Sequence, residues 1–220
     1  MSSFSKIEAD VFFMQEYSEV LKDEILKTNK YHVSTDESKD KLIIAKKATF
    51  PGKKITTDVL TAEDLKELTW SEDPCILVAD SFIIINAHLS SKTEKNKKQL
   101  EFVKKHLVQL KHKYPNYHFI VGGDINSYLG NDGVFEKDFN FYPEKEDELT
   151  TIKKRTLTQG QYHKGNKVVA ESKDKIISTL KINSGSIRYI TNEEVKEKAL
   201  IPTDKHPFDH FVLVSYLQKP

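Results

Sequence analysis

Gly122-Gly123-Asp124-Ile125-Asn126 directly follows the apolar run Phe119-Ile120-Val121. Residues i and i+2 of an extended chain point to the same face, so Asp124 and Asn126 present a carboxylate beside a carboxamide. Such a carboxylate can take a proton, and the amide can orient a water or a phosphate oxygen. The two glycines let the backbone turn and approach closely just before the pair. Gly-Asp and Asn are also ordinary turn residues, so the stretch draws its weight from other clusters. These are Gln15-Glu16 after Val11-Phe12-Phe13-Met14, Asn86-Ala87-His88 after Phe82-Ile83-Ile84-Ile85, Lys173-Asp174 before Ile176-Ile177, and Asp209-His210 before Phe211-Val212-Leu213-Val214. All lie at strand edges, where sites are built on a rigid sheet.

The elements that must position them follow from periodicity. A strand is expected over 9–15, then a helix from Ser18, its cap, to Leu26. Residues 41–50 read as a strand, and Thr61 caps a short helix ending at Leu68 with Glu63 and Asp64 in its first turn. Strands at 75–79 and 81–88 are joined tightly by Asp80-Ser81. Leu100, Val103, Leu107 and Leu110 form the buried stripe of the longest helix, 92–113, which Tyr114-Pro115-Asn116 stops before a strand at 117–122. Residues 128–165 are polar with few periodic apolar positions and read as a long loop region beside the site. Strands near 175–182 and 186–190, a short helix from Thr191-Asn192 and a last strand at 210–217 complete the chain. Strands alternating with helices argue an α/β sandwich. With no repeat and no linker, residues 1–220 are expected to form a single domain.

Composition narrows the classes. Hydrophobic residues make up 38% and charged residues 30%, the balance of a soluble globular chain. A net charge of +1 lacks the strongly basic footprint that would alone announce a nucleic-acid binder, and gives no reason to expect a membrane surface. Cys75 is the single cysteine, so no internal disulfide forms and an intracellular compartment is the expectation. Pro74-Cys75-Ile76-Leu77 reads as a small buried residue opening a strand rather than a nucleophile. No apolar run approaches membrane-spanning length.

Taken in order, the five clusters resemble the endonuclease/exonuclease/phosphatase superfamily, over residues 9 to 216. The resemblance implies a four-layer α/β sandwich, two facing mixed β-sheets flanked by helices. It implies a metal-dependent phosphoric ester hydrolase, a phosphodiesterase or nuclease in which water attacks a phosphoester in line. Glu16 matches the metal-binding acid, Asp124 the residue that activates water, and Asn126 the one that orients it or the phosphate. His210 matches the imidazole bonded to the scissile phosphate, and Asp174 the carboxylate holding it. Asp209 matches a second metal position or a leaving-group acid, and Asn86 and His88 the pair flanking the phosphate. Converging carboxylates repel, a divalent cation relieves the conflict, and an all-oxygen set without thiolates points to Mg²⁺ or Mn²⁺ rather than structural zinc. Lys154 and Arg155, within Lys153-Lys154-Arg155-Thr156, are expected to meet substrate phosphates. Asn-Ala-His-Leu-Ser and Gly-Asp-Ile-Asn-Ser look closer to nuclease and deadenylase branches than to inositol phosphatases, which makes single-stranded nucleic acid the expected substrate.

The sequence departs from the family in one respect. Members open with a strand bearing an asparagine well before the Gln-Glu motif, whereas here Gln15 arrives almost at once. The expectation is an N-terminally shortened sandwich, with a protein partner as one way to fill the slot. A non-catalytic copy of the fold, acting as a binding or scaffold subunit, is the rival reading. Singly, Glu16 reads as part of a helix cap, His88 as a core histidine, and the lysines of 92–113 as a solvated face, with His106, His112, His118 and His163 also solvated.

Overall fold

The computed structural model describes residues 9–38, 40–68, 75–126, 137–144, 150–154, 168–188 and 212–218. In chain order the elements are β1 (Val11–Gln15), α1 (Glu19–Lys27), β2 (Tyr31–Thr35), β3 (Lys41–Lys46), β4 (Lys53–Lys54), α2 (Ala62–Glu67), β5 (Cys75–Ala79), β6 (Phe82–His88), α3 (Thr93–Lys113), β7 (His118–Asp124), β8 (Asn140–Tyr142), β9 (Thr151–Lys154), β10 (Val168–Glu171), β11 (Asp174–Ser178), β12 (Ile182–Arg188) and β13 (Val212–Leu217).

The largest sheet has six strands in the order β4-β5-β6-β7-β11-β8. β5 and β6 form a hairpin turned at Asp80, which holds a positive φ of 51° and accepts a hydrogen bond from Gly52 N through Oδ1 at 3.1 Å. β6 and β7 run parallel, so their connection must cross over, and α3 is that crossover. Both faces of this sheet are covered, which is why Cys75–Ala79 and Ile83-Ile84-Ile85 are apolar without alternation. On one face Val103, Leu107 and Leu110 of α3 pack with Ile83, Ile85, Phe119, Val121 and Ile177. On the other, Ile43 and Ala45 of β3 pack with Cys75, Leu77 and Ile84, joined by Phe13 of β1.

That second face is covered by a three-stranded sheet, β1-β3-β2, and by the ribbon of β12 and β13. α1 lies against β2. This is the mixed α/β sandwich of facing sheets that the sequence leads one to expect. Gly122 lets the sheets meet: a Cβ there would lie 2.3 Å from the Phe13 ring. Among the described residues, no helix is long and apolar enough to cross a membrane.

Some boundaries differ from expectation. β2 was not anticipated; as a sheet edge it is only partly buried, and its Tyr-His-Val-Ser-Thr residues lack an apolar run. The supposed loop region contains β8 and β9, strands of three and four residues that are too short to show a period. His106 was expected in solvent but is buried at 5% exposure, because Nδ1 bonds Phe102 O at 2.8 Å and the ring packs on Phe102. The expected helix from Thr191 lies outside the described residues.

Candidate functional site

Strand pairing brings three of the expected residues into one row. In parallel register His88 of β6 faces Asp124 of β7, and in antiparallel register Asp124 faces Asp174 of β11. Asn86 and Gly122 lie two residues back on the same face, which looks toward the smaller sheet. The row therefore stands at one mouth of the cleft between the sheets. β1 and β3 close that mouth from the other side: Gln15 pairs with Lys41, and Glu16 N donates to Asp40 O at 2.7 Å.

Asp124 is 6% exposed and is aimed by Asn126. Asn126 donates to it twice, from the backbone N to Oδ1 at 2.8 Å and from Nδ2 to Oδ2 at 3.0 Å, and Nδ2 also reaches Leu89 O at 2.8 Å. A φ of 53° at Asn126, a conformation Asn tolerates better than most residues, makes this return possible. Behind the loop, buried Asn96 at the start of α3 donates to Ile125 O at 2.8 Å, so the longest helix anchors the motif.

His88 lies between two carboxylates. Nδ1 is 3.0 Å from Asp40 Oδ2, and Nε2 is 3.9 Å from Asp124 Oδ2. An ionised carboxylate only accepts, so Nδ1 is the donor to Asp40, and the ring presents Nε2 toward Asp124 at a distance too long for a direct bond. Asp40 was not among the residues expected from the sequence. It has the same mark as the others, a charged residue at the edge of an apolar strand. Its place opposite Glu16 and beside His88 depends on pairings that the sequence alone does not reveal. Next to it, Asp36 is buried and bonded to Lys41 Nζ at 2.7 Å and to Ser38 Oγ at 2.6 Å. Burial pushes the Asp36 carboxyl upward, but Lys41 and Ser38 outweigh that and hold it below the usual range.

The backbone N–H groups of Lys173 and Asp174 both donate to buried Thr150 Oγ1, at 2.9 and 2.8 Å. Thr150 immediately precedes β9, the strand that pairs with β10 and ends at Lys154. The Lys154 side chain, Arg155, Asp209 and His210 lie outside the described residues.

Asn86 has a different part from the one expected. It is 1% exposed; Nδ2 donates to Met14 O at 2.8 Å and Leu42 O at 3.0 Å, while Oδ1 accepts from Gln15 Nε2 at 2.5 Å. Its donors are spent on clamping the two sheets together. Gly123, at φ 137°, keeps this clamp close: a Cβ there would meet Ala87 O at 2.0 Å.

Glu16 fits a hard cation in part. The residue is exposed, and its backbone, bonded to Asp40 O, stands at the end of β1 by the mouth. Among the described residues no group of three His, Cys, Asp or Glu side chains could hold a metal ion, so they form no closed cage. Mg²⁺ needs none, since it commonly takes one or two protein carboxylates and keeps several waters.

No protein-family model and no curated protein matches the sequence. Solved structures do match. TDP2 from C. elegans superposes with a TM-score of 0.60 at 15% identity, over 93% of this chain and 63% of that one. D. rerio TDP2, complexed with single strand DNA product, gives 0.61 at 14% identity, over 96% of this chain and 86% of that one. An AP endonuclease from Archaeoglobus fulgidus gives 0.52 at 16% identity, over 96% and 89%. The chain has the endonuclease/exonuclease/phosphatase fold. Within it, the chain spans under two thirds of the C. elegans protein's length. The row at the cleft mouth is thus set on an endonuclease/exonuclease/phosphatase scaffold, with Asp40 and Thr150 as supports that the motifs did not announce.

Proposed function

We propose that this protein is a Mg²⁺-dependent phosphodiesterase or nuclease that hydrolyses phosphoester bonds in single-stranded nucleic acid. The observation that carries the reading is the row of His88, Asp124 and Asp174 across three adjacent strands, met by Asp40 from the opposing sheet. A fold shared with a TDP2 seen with single strand DNA product supports the substrate class.

The reaction uses these groups as follows. Asp124, held by two donors from Asn126, accepts a proton from the attacking water. His88, fixed at Nδ1 by Asp40, turns Nε2 to the same spot and donates to a phosphoryl oxygen. His210, steadied by Asp174, supplies the second imidazole donor, and Asp209 serves the leaving group or a second metal position. Glu16 would hold the cation, which would supply stabilisation of charge on the phosphoryl oxygens. Lys154 and Arg155 meet the flanking phosphates in this reading; that β9, which ends at Lys154, follows Thr150 at the site supports it.

The test is a panel of single-stranded RNA, single-stranded DNA, poly(A), abasic duplex DNA and sphingomyelin, assayed with Mg²⁺ and with chelator. Metal-dependent cleavage of a single-stranded substrate is expected, with Asp124→Asn slower by about 10²–10⁴-fold while still folded. Mg²⁺ should also raise the melting temperature, and Glu16→Gln should remove that rise. An intact chain that leaves the whole panel uncut, with no thermal response to Mg²⁺, would instead mark a non-catalytic copy of the fold.

A further inference from the structure

α3 carries more positive charge than its own stability accounts for. It holds seven lysines against two glutamates, in a chain whose net charge is only +1. Lys92 at its N-cap makes no side-chain capping bond, and Lys95 in its first turn opposes the helix dipole. In the second half the charge is compensated. Lys111 pairs with Asp138 at 2.8 Å and Lys113 with Asp64 at 2.7 Å, beside a groove lined by Glu63 and Glu67. In the first half, Lys98 and Lys105 are exposed and make no hydrogen bond or ion pair among the described residues. Glu94 lies toward Lys97, at 3.9 Å, and Glu101 forms no ion pair with either lysine.

Between these two lysines stands Phe102. Positions i, i+4 and i+7 of a helix share a face, so Lys98, Phe102 and Lys105 form one ridge, about 10 Å long. Phe102 is 42% exposed, and its ring is backed by that of His106, with the centroids 3.8 Å apart. His106 is buried and fixed by its Nδ1 bond to Phe102 O at 2.8 Å, which makes the phenyl ring a supported platform. This half of α3 also adjoins the site. It follows β6 from the end that carries His88; Asn96 donates to Ile125 O at 2.8 Å, and Gln99 Oε1 accepts from Ser90 N at 2.9 Å.

We infer that the first half of α3 is a binding track for single-stranded nucleic acid outside the cleft, with Lys98 and Lys105 on backbone phosphates and Phe102 stacked on a base. Uncompensated cations select a polyanion, and an aromatic ring set between them selects bases over an acidic peptide. An anionic membrane calls for a row of apolar side chains, whereas Phe102 is the exposed large apolar residue of α3 among those described. The acidic groove beside Gln109 and Lys113 bounds the track, since it repels phosphates. The choice of ligand rests on the reading of the cleft as a nuclease site for single strands; the track itself takes no part in hydrolysis.

Fluorescence anisotropy on the full chain tests it, with a labelled oligothymidine of about twenty nucleotides and chelator present so that nothing is cut. Lys98→Gln combined with Lys105→Gln should weaken binding about tenfold and lower the slope of log affinity against log salt by about one to two. Phe102→Ala should weaken binding about tenfold with the salt slope unchanged, because stacking releases no counterion, and Phe102→Trp should retain it. Lys27→Gln combined with Lys30→Gln removes the same charge from exposed positions at the end of α1 and should bind as the parent does. The inference fails if the α3 double variant binds as the parent does, or if the Lys27 and Lys30 variant loses as much, since net charge alone would then matter. It fails equally if Phe102→Ala binds as the parent does, or if the chain binds phosphatidylserine vesicles and no oligonucleotide. Track-dependent binding by a chain that cuts nothing in the substrate panel would uphold the track and overturn the hydrolytic reading instead.

Discussion

Neighbouring polar residues on one strand have divergent parts here. Asn86 and His88 share a face of β6, two residues apart, yet Asn86 is spent on Met14, Leu42 and Gln15, whereas His88 stands at the mouth between Asp40 and Asp124. Alanine at each should separate the roles. Asn86→Ala leaves two carbonyls and the Gln15 amide with a lost partner at a buried place, and should cost about 1–3 kcal/mol in urea unfolding. Asp40→Ala, on a side chain 32% exposed, should leave the urea midpoint nearly unchanged but lower hydrolysis by freeing the His88 ring. If instead Asn86→Ala is stable and inactive, the amide touches substrate and is not a clamp.

At the scale of elements, the site depends on how closely two sheets approach. Gly122 and Gly123 do different work in that approach. A Cβ at Gly122 would strike the Phe13 ring of the opposing sheet at 2.3 Å, and one at Gly123 would strike Ala87 O on the neighbouring strand at 2.0 Å, from a backbone with φ 137°. A ring at the end of a half-buried side chain can shift, but a carbonyl in a ladder cannot. Gly122→Ala should therefore lose about 1–3 kcal/mol and still fold. Gly123→Ala should lose more, with the Asp124 row displaced. Comparing their thermal melts checks the order; equal melts would mean that the ladder carbonyl of Ala87 is no stiffer an obstacle than the Phe13 ring.

For the whole molecule, a buried carboxylate outside the site is placed to contribute to stability in acid. Asp64 of α2 is 3% exposed and accepts from Lys113 Nζ at 2.7 Å, from the Tyr114 hydroxyl and from Thr61, pinning α2 to the end of α3. Burial pushes its carboxyl upward, but the bonds from Lys113, Tyr114 and Thr61 prevail and hold it at about 2, below the usual carboxylate range. A carboxyl depressed by folding adds stability that is complete above its unfolded value and is lost as pH falls through its folded one. Stability should thus drop between about pH 4 and pH 2, and Asp64→Asn should flatten that limb of a urea-midpoint profile. An unchanged limb would place the acid sensitivity elsewhere, for instance at Asp36 with Lys41.

The sequence by itself determined the apolar strands and the long amphipathic α3, because burial on both faces or along one stripe leaves a period that can be counted. It also carried Asp124, Asn126, His88, Asp174 and Glu16 as site candidates, since each ends or begins such a run. It could not assign Asn86 to a clamp, find Asp40 or bury His106. Those outcomes depend on partners far along the chain: Asn86 meets Met14 and Leu42, Asp40 meets His88, and Glu67 lies beside His106. Sheet order is likewise absent from any local pattern. Only the tertiary structure decided that β7 lies between β6 and β11, and it is that adjacency which sets His88, Asp124 and Asp174 in one row.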